Sequence, residues 1–194
     1  MKPFIQQRIE ESVATKNKLL VDEQLLQTIE GASAAILQAL KNGNKVLFCG
    51  NGGSAADAQH LAAEFSGRFY LNRKALSAEA LHCNTSYLTA VANDYSFDVI
   101  YARLVDGIGN NGDVLVGLST SGNSGNIVKA FEVARKNGIT TVGFTGSDGG
   151  ALKSLSDHLI NIPSNDTPRI QESHIMIGHI ICQRVEENYF SDNE

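Results

Sequence analysis

Four residues could do chemistry together if the fold brings them to one place. His60 and Glu64 stand four positions apart in "QHLAAEF", so a helix sets both on one face. Gln171 and His179 stand eight apart in "QESHIMIGH". Two turns and a fraction of helix let both lean to one side, though not in line. Two imidazoles, a carboxylate and an amide oxygen form a mixed nitrogen and oxygen set that Zn²⁺ accepts. Each residue also has a plainer reading. A His–Glu pair at this spacing commonly marks a solvated helix face, and Gln171 suits a surface. His179, flanked by Ile177, Gly178, Ile180 and Ile181, suits a hydrogen-bonded core position.

A second kind of chemistry is written in two similar turns. "FCGNGGSAADA" and "GLSTSGNSGNIVKA" each leave an apolar run, pass through Gly and Ser or Thr, and enter a helical pattern. Small residues let backbone approach an anion, hydroxyls donate to it, and the following helix offers free N–H groups. The expected ligand is a phosphate or phosphosugar. Gly50, Gly52 and Ala55 also satisfy the G-x-G-x-x-A dinucleotide pattern, but the acidic ribose partner about 20 positions on is missing, Glu79 being too far. No Gly-Lys-Ser/Thr follows either turn, which excludes a Walker A loop.

These residues need elements to hold them. Leu25, Leu26, Ile29, Ala32, Ile36 and Leu40 recur at helical spacing across residues 23–41, and the polar first ~20 residues predict another helix. "KVLFC", "VLVGLS", "ITTVGFTG" and "HLINIP" are short continuous apolar runs of the kind buried in a parallel sheet, with "ALSAEALH" a weaker strand. Helical patterns lie at Ser54–Phe65, in "SYLTAVAND", in "FDVIYARLVDGI", from "TSGNSGN" to Asn137, and from Pro168 to Phe190. Strands alternating with helices predict an α/β fold: a three-layer, doubly wound parallel sheet preceded by N-terminal helices. With few prolines and no linker, residues 1–194 read as one domain, with helices over 1–43 and an α/β core over 44–190.

Composition narrows the function classes. The net charge of -5 argues against a general nucleic-acid binder, because neutralising phosphates needs a basic surface. No apolar stretch approaches the ~18 residues of a membrane span, so no membrane partner is expected. The opening "MKPFIQQRIEES" is too polar for a signal peptide. Cys49, Cys83 and Cys182 are odd in number and far apart, and read as reduced, mostly buried thiols of a cytoplasmic protein.

The two turns together resemble the signature loops of the sugar isomerase (SIS) fold. With "TPRIQESHIMIGHI" near the end, the resemblance extends over nearly the whole chain to the phosphoheptose isomerase family. It implies a Rossmann-like fold and an aldose–ketose isomerase that interconverts sedoheptulose 7-phosphate and D-glycero-D-manno-heptose 7-phosphate for bacterial surface polysaccharide. It also implies a zinc site at His60, Glu64, Gln171 and His179, with Glu64 and His179 carrying the chemistry. Substrate contacts are implied at Asn51, Gly52, Gly53, Glu64, Asn93, Asp94, Ser119, Thr120, Ser121, Ser124 and Gln171. His82, His158 and His174 match no such position. Where some members carry an aspartate before Arg-Ile-Gln, this chain has Pro168, with Asp166 two positions earlier as a substitute. The resemblance further implies a homotetramer whose neighbours close the sites. The rival reading is a non-catalytic SIS module that binds a phosphosugar as a replication-initiator partner or regulator.

Overall fold

A computed structural model of the chain describes residues 3–191; the outermost positions of the expected range 1–194, namely 1–2 and 192–194, lie outside the described residues. Two helices come first, α1 (Phe4–Leu20) and α2 (Glu23–Lys41). Asp22 caps α2 by accepting the Leu25 N–H at 3.0 Å. Five strands follow: β1 (Val46–Gly50), β2 (Ala78–Ala80), β3 (Val114–Leu118), β4 (Thr140–Thr145) and β5 (His158–Asn161). All pair in parallel, in the order β2-β1-β3-β4-β5.

The apolar runs are continuous because both faces of the sheet are covered. Val46 and Phe48 of β1 point into one core layer, with α2, α3 (Gly53–Ser66) and α7 (Thr167–Phe190) packed over them. Leu47 and Cys49 point into the other, covered by α4 (Thr85–Asp94), α5 (Ile100–Ile108) and α6 (Gly125–Lys136). Cys49 and Cys182 are buried and Cys83 is exposed, all as free thiols. Among the described residues no helix is long and apolar enough to cross a membrane.

One segment departs from the expected pattern. "FDVIYARLVDGI" begins as a 3₁₀ turn at Phe97–Val99 before α5 takes over. The crossover from β4 to β5 is only the 3₁₀ segment Gly150–Ser154, not a full helix. Gly149 and Gly150 adopt φ +77° and +52° there, left-handed backbone that ends any helical run at its start.

The strand order reverses between β1 and β3. The turns after these two strands, at the carboxyl end of the sheet, are the glycine-rich ones, and this crevice is where open α/β sheets bind ligands. Helices α3 and α7 pack side by side next to it. Their close approach rests on Gly178, where a Cβ would stand 2.6 Å from both δ-carbons of Leu61.

Candidate active site at the carboxyl end of the sheet

Helix α3 starts directly after the first turn and packs Ala58, Leu61, Ala62 and Phe65 into the core. On a more open face it carries His60, half exposed, and Glu64, whose Nε2 and Oε1 lie 3.2 Å apart. From α7, His179 brings its Nε2 to 3.0 Å from His60 Nε2, the two rings meeting edge to face at 5.2 Å between centroids. One ligand atom from each of His60, Glu64 and His179 lies within 4.8 Å of the other two. Two imidazole nitrogens this close either share a proton or converge on one cation, and a carboxylate beside them suits either role. The donor set and spacing therefore fit a metal ion.

Gln171 lies at the other end of this helix pair. Its amide packs against Gly53, and its Nε2 stands 3.5 Å from Ser54 Oγ, so it borders the first turn. Asp57, which the sequence reading passed over, belongs to the same face one turn before His60. Burial raises its carboxyl above the ordinary value, while His60 and His179 pull it back down. The i, i+3, i+7 spacing of Asp57, His60 and Glu64 was the available signal.

The first turn is held by its neighbours. Asn51 exchanges two hydrogen bonds with Asn126 of α6, and Tyr101 donates its hydroxyl to the Gly50 carbonyl. Gly52 and Gly53 are exposed where the chain enters α3. In the second turn Ser119 is buried and its Oγ lies 2.9 Å from Ser124 Oγ, at the start of α6. Ser121 is exposed, its Oγ accepting the Asn123 N–H, and Thr120 is partly open. Thr120 and Ser121 line a cleft with Ser147, Ser164 and Thr167 from the turns after β4 and β5. Those three hydroxyls also escaped the sequence reading, although "TGSD" and "PSNDT" repeat the small, hydroxyl-rich pattern.

Asn93 and Asp94 end α4, both exposed, with Asn93 Nδ2 donating to Asp94 Oδ1 at 3.0 Å. Asp166 precedes α7 and leans towards Arg169, 4.0 Å away; Arg169 also pairs with Glu172 and donates to the Arg8 carbonyl of α1. His158 rests against Gly31 of α2, and His82 is half-buried. His174 is fully buried, its Nε2 3.1 Å from the Thr145 carbonyl.

Known proteins are similar to this chain in fold and sequence. Residues 11–146 match the SIS domain family. The phosphoheptose isomerase of Clostridium acetobutylicum is 54% identical over 192 residues, covering 99% of this chain and 98% of that protein. The phosphoheptose isomerase of Aneurinibacillus thermoaerophilus is 50% identical over 190 residues, covering 98% and 96%. The solved phosphoheptose isomerase GmhA from Neisseria gonorrhoeae superposes with a TM-score of 0.89 at 41% identity, covering 94% of this chain and 97% of that one. A parallel sheet with two phosphosugar-type turns, and near full-length identity at this level, place the chain in the SIS domain family, among the phosphoheptose isomerases.

Proposed function

We propose that this chain is an aldose–ketose isomerase that interconverts sedoheptulose 7-phosphate and D-glycero-D-manno-heptose 7-phosphate, supplying precursors of bacterial heptose-containing polysaccharide. The observation that carries the reading is the convergence of His60, Glu64 and His179, the first two on the helix that the first glycine-rich turn opens. The kinship with phosphoheptose isomerases supplies the substrate class.

In the proposed mechanism the phosphate docks on the hydroxyls of Ser119, Thr120, Ser121 and Ser124 and on N–H groups of the turn, far from the reacting carbons, and so orients them. Asn51, Gly52, Gly53, Asn93, Asp94 and Gln171 are the proposed contacts to the rest of the sugar. Glu64 removes a proton from C1 of the open-chain ketose, giving the C1–C2 enediol, and returns it to C2. His179 moves a proton between the two oxygens as the carbonyl passes from C2 to C1, and also serves ring opening. The net change is an isomerisation, with no atoms or electrons gained or lost.

His60, Glu64 and His179, with Gln171 nearby, are the residues that would hold Zn²⁺. When bound, the ion would polarise the sugar oxygens. Glu64 is a weaker base while it ligates a metal, so its two proposed roles compete.

We read residues 1–194 as one such unit, acting in the cytoplasm as a homotetramer with sites at subunit interfaces. Helix α1 supports association: it leaves Phe4, Ile5, Ile9 and Val13 exposed. Light scattering on the purified protein tests the tetramer. An assay with sedoheptulose 7-phosphate, on the wild type and on Glu64→Gln, tests the reaction. Binding without turnover by the wild type would favour the non-catalytic module; full turnover by Glu64→Gln would remove the proposed base.

A further inference from the structure

The two glycine-rich turns are joined by one pair of side chains. Asn51 Nδ2 donates to Asn126 Oδ1 at 2.9 Å, and Asn126 Nδ2 donates back to Asn51 Oδ1 at 2.8 Å. Each amide thus engages its oxygen and one of its two N–H groups. Asn126 is 2% exposed, so little water competes for these bonds.

The placement gives the pair its meaning. Asn51 follows Gly50, the last residue of β1, and leads into α3, which carries His60 and Glu64. Asn126 is the second residue of α6, two positions after Ser124, whose hydroxyl faces Ser119. One turn opens the helix that carries the proton-transfer cluster, the other holds the proposed phosphate hydroxyls, and the amide pair bolts them together. It also leaves Asn51 one side-chain N–H to donate to a ligand, its amide plane being fixed by the pair.

We propose that Asn126 is a positioning residue: through the reciprocal amide pair it orients Asn51 as a donor and sets the span between the phosphate-side turn and the His60/Glu64/His179 cluster. The span selects a sugar phosphate long enough to reach both. This rests on the isomerase reading above.

Calorimetry with inorganic phosphate and with sedoheptulose 7-phosphate, alongside kcat, tests it. For Asn126→Ala the affinity for inorganic phosphate should stay within about twofold, whereas kcat should fall roughly 10- to 100-fold, as expected when reacting groups shift by about an ångström. The preference for the sugar phosphate over inorganic phosphate should shrink with it. The double variant Asn51→Ala/Asn126→Ala should lose little more kcat than Asn126→Ala alone, because the two act as a unit. Should Asn126→Ala fail to fold, Asn126→Asp keeps the size and one of the two bonds and is read the same way. An unchanged kcat and unchanged preference in a folded variant would overturn the proposal, as would equal loss of both ligands. If the wild type binds both ligands and turns over neither, the isomerase reading fails, while the ratio of the two affinities still decides the role of Asn126.

Discussion

Glu186 of α7 and Arg73, in the segment between α3 and β2, face each other across 2.7 Å with side chains 1% and 4% exposed. The Glu186 carboxylate also accepts the backbone N–H groups of Phe69, Tyr70 and Leu71. Arg73 donates in turn to the carbonyls of Glu64 and Phe65, at the end of the helix that carries the cluster. The clamp therefore seats the segment whose Phe69 ring lies 5.8 Å from that of His179.

Removing one member of such a pair leaves a buried charge alone. Glu186→Ala should destabilise the fold by about 3–5 kcal/mol, read from denaturant midpoints. Burial alone would raise the Glu186 carboxyl, but the N–H donors of Leu71 and Phe69, with Arg73 and Tyr70, override it and hold the group below its ordinary value. Its contribution is thus present above the ordinary glutamate pKa and is lost as pH falls below it. Glu186→Gln should show a shallower acid limb than wild type; an unchanged limb would exclude this linkage.

Glu64→Gln keeps the shape of the side chain and removes its basicity. Loss of a general base should lower kcat by roughly 10²- to 10⁴-fold, with an unchanged thermal midpoint of the chelator-stripped protein. A fall in midpoint matching the fall in rate would instead assign Glu64 to stability.

The cluster should bind Zn²⁺ more tightly in the folded than in the unfolded chain. At a free metal concentration a hundred times Kd, the gain is about 2.7 kcal/mol. In a chain of this size each kcal/mol raises Tm by roughly 2–4 °C. Chelator-stripped protein titrated with zinc by scanning calorimetry should show the rise, and His60→Ala should not.

Gly178→Ala places a methyl group against Leu61, where a Cβ has 2.6 Å of room. The clash is relieved by a shift of the Leu61 side chain or of helix α7, at a stability cost of about 1–3 kcal/mol, and movement of α7 carries His179 away from His60. Trimming the opposing side chain in Gly178→Ala/Leu61→Ala should restore activity relative to Gly178→Ala alone. No recovery would mean that the helix spacing does not govern the cluster.

His174 is fully buried, and burial pushes its pKa down to about 4, against a smaller raising effect from the Thr145 carbonyl. The unfolded chain then binds more protons between about pH 4 and the ordinary histidine value near 6.5, so stability drops as pH falls through that window, by at most about 1.4 kcal/mol per unit. His174→Gln keeps a donor for Thr145 but cannot be charged. Its unfolding free energy should be lower at pH 7 yet flatter from pH 6.5 to 4.5.

Much of this was legible along the chain, because local chemistry dictates it. "VLFC" and "VLVGL" lack alternation since both faces of a parallel sheet are covered, and the two hydroxyl-rich turns follow them directly. The i, i+4 spacing of His60 and Glu64 is a property of one helix. The crossover after β4 is a short 3₁₀ segment with two left-handed glycines at its start, a backbone state that composition alone does not report.

What the sequence determined by itself was the set of elements, the turns able to meet a phosphate and the helix faces carrying His60, Glu64, Gln171 and His179. Only the tertiary structure decided which of these meet. The order β2-β1-β3-β4-β5 puts the two turns on adjacent strands, and Gly178 lets α7 close on α3 so that His179 reaches His60. The pairings of Asn51 with Asn126 and of Arg73 with Glu186 join residues far apart in the chain. Periodicity reports only which way a side chain faces within its own element; contact between elements depends on how their surfaces pack.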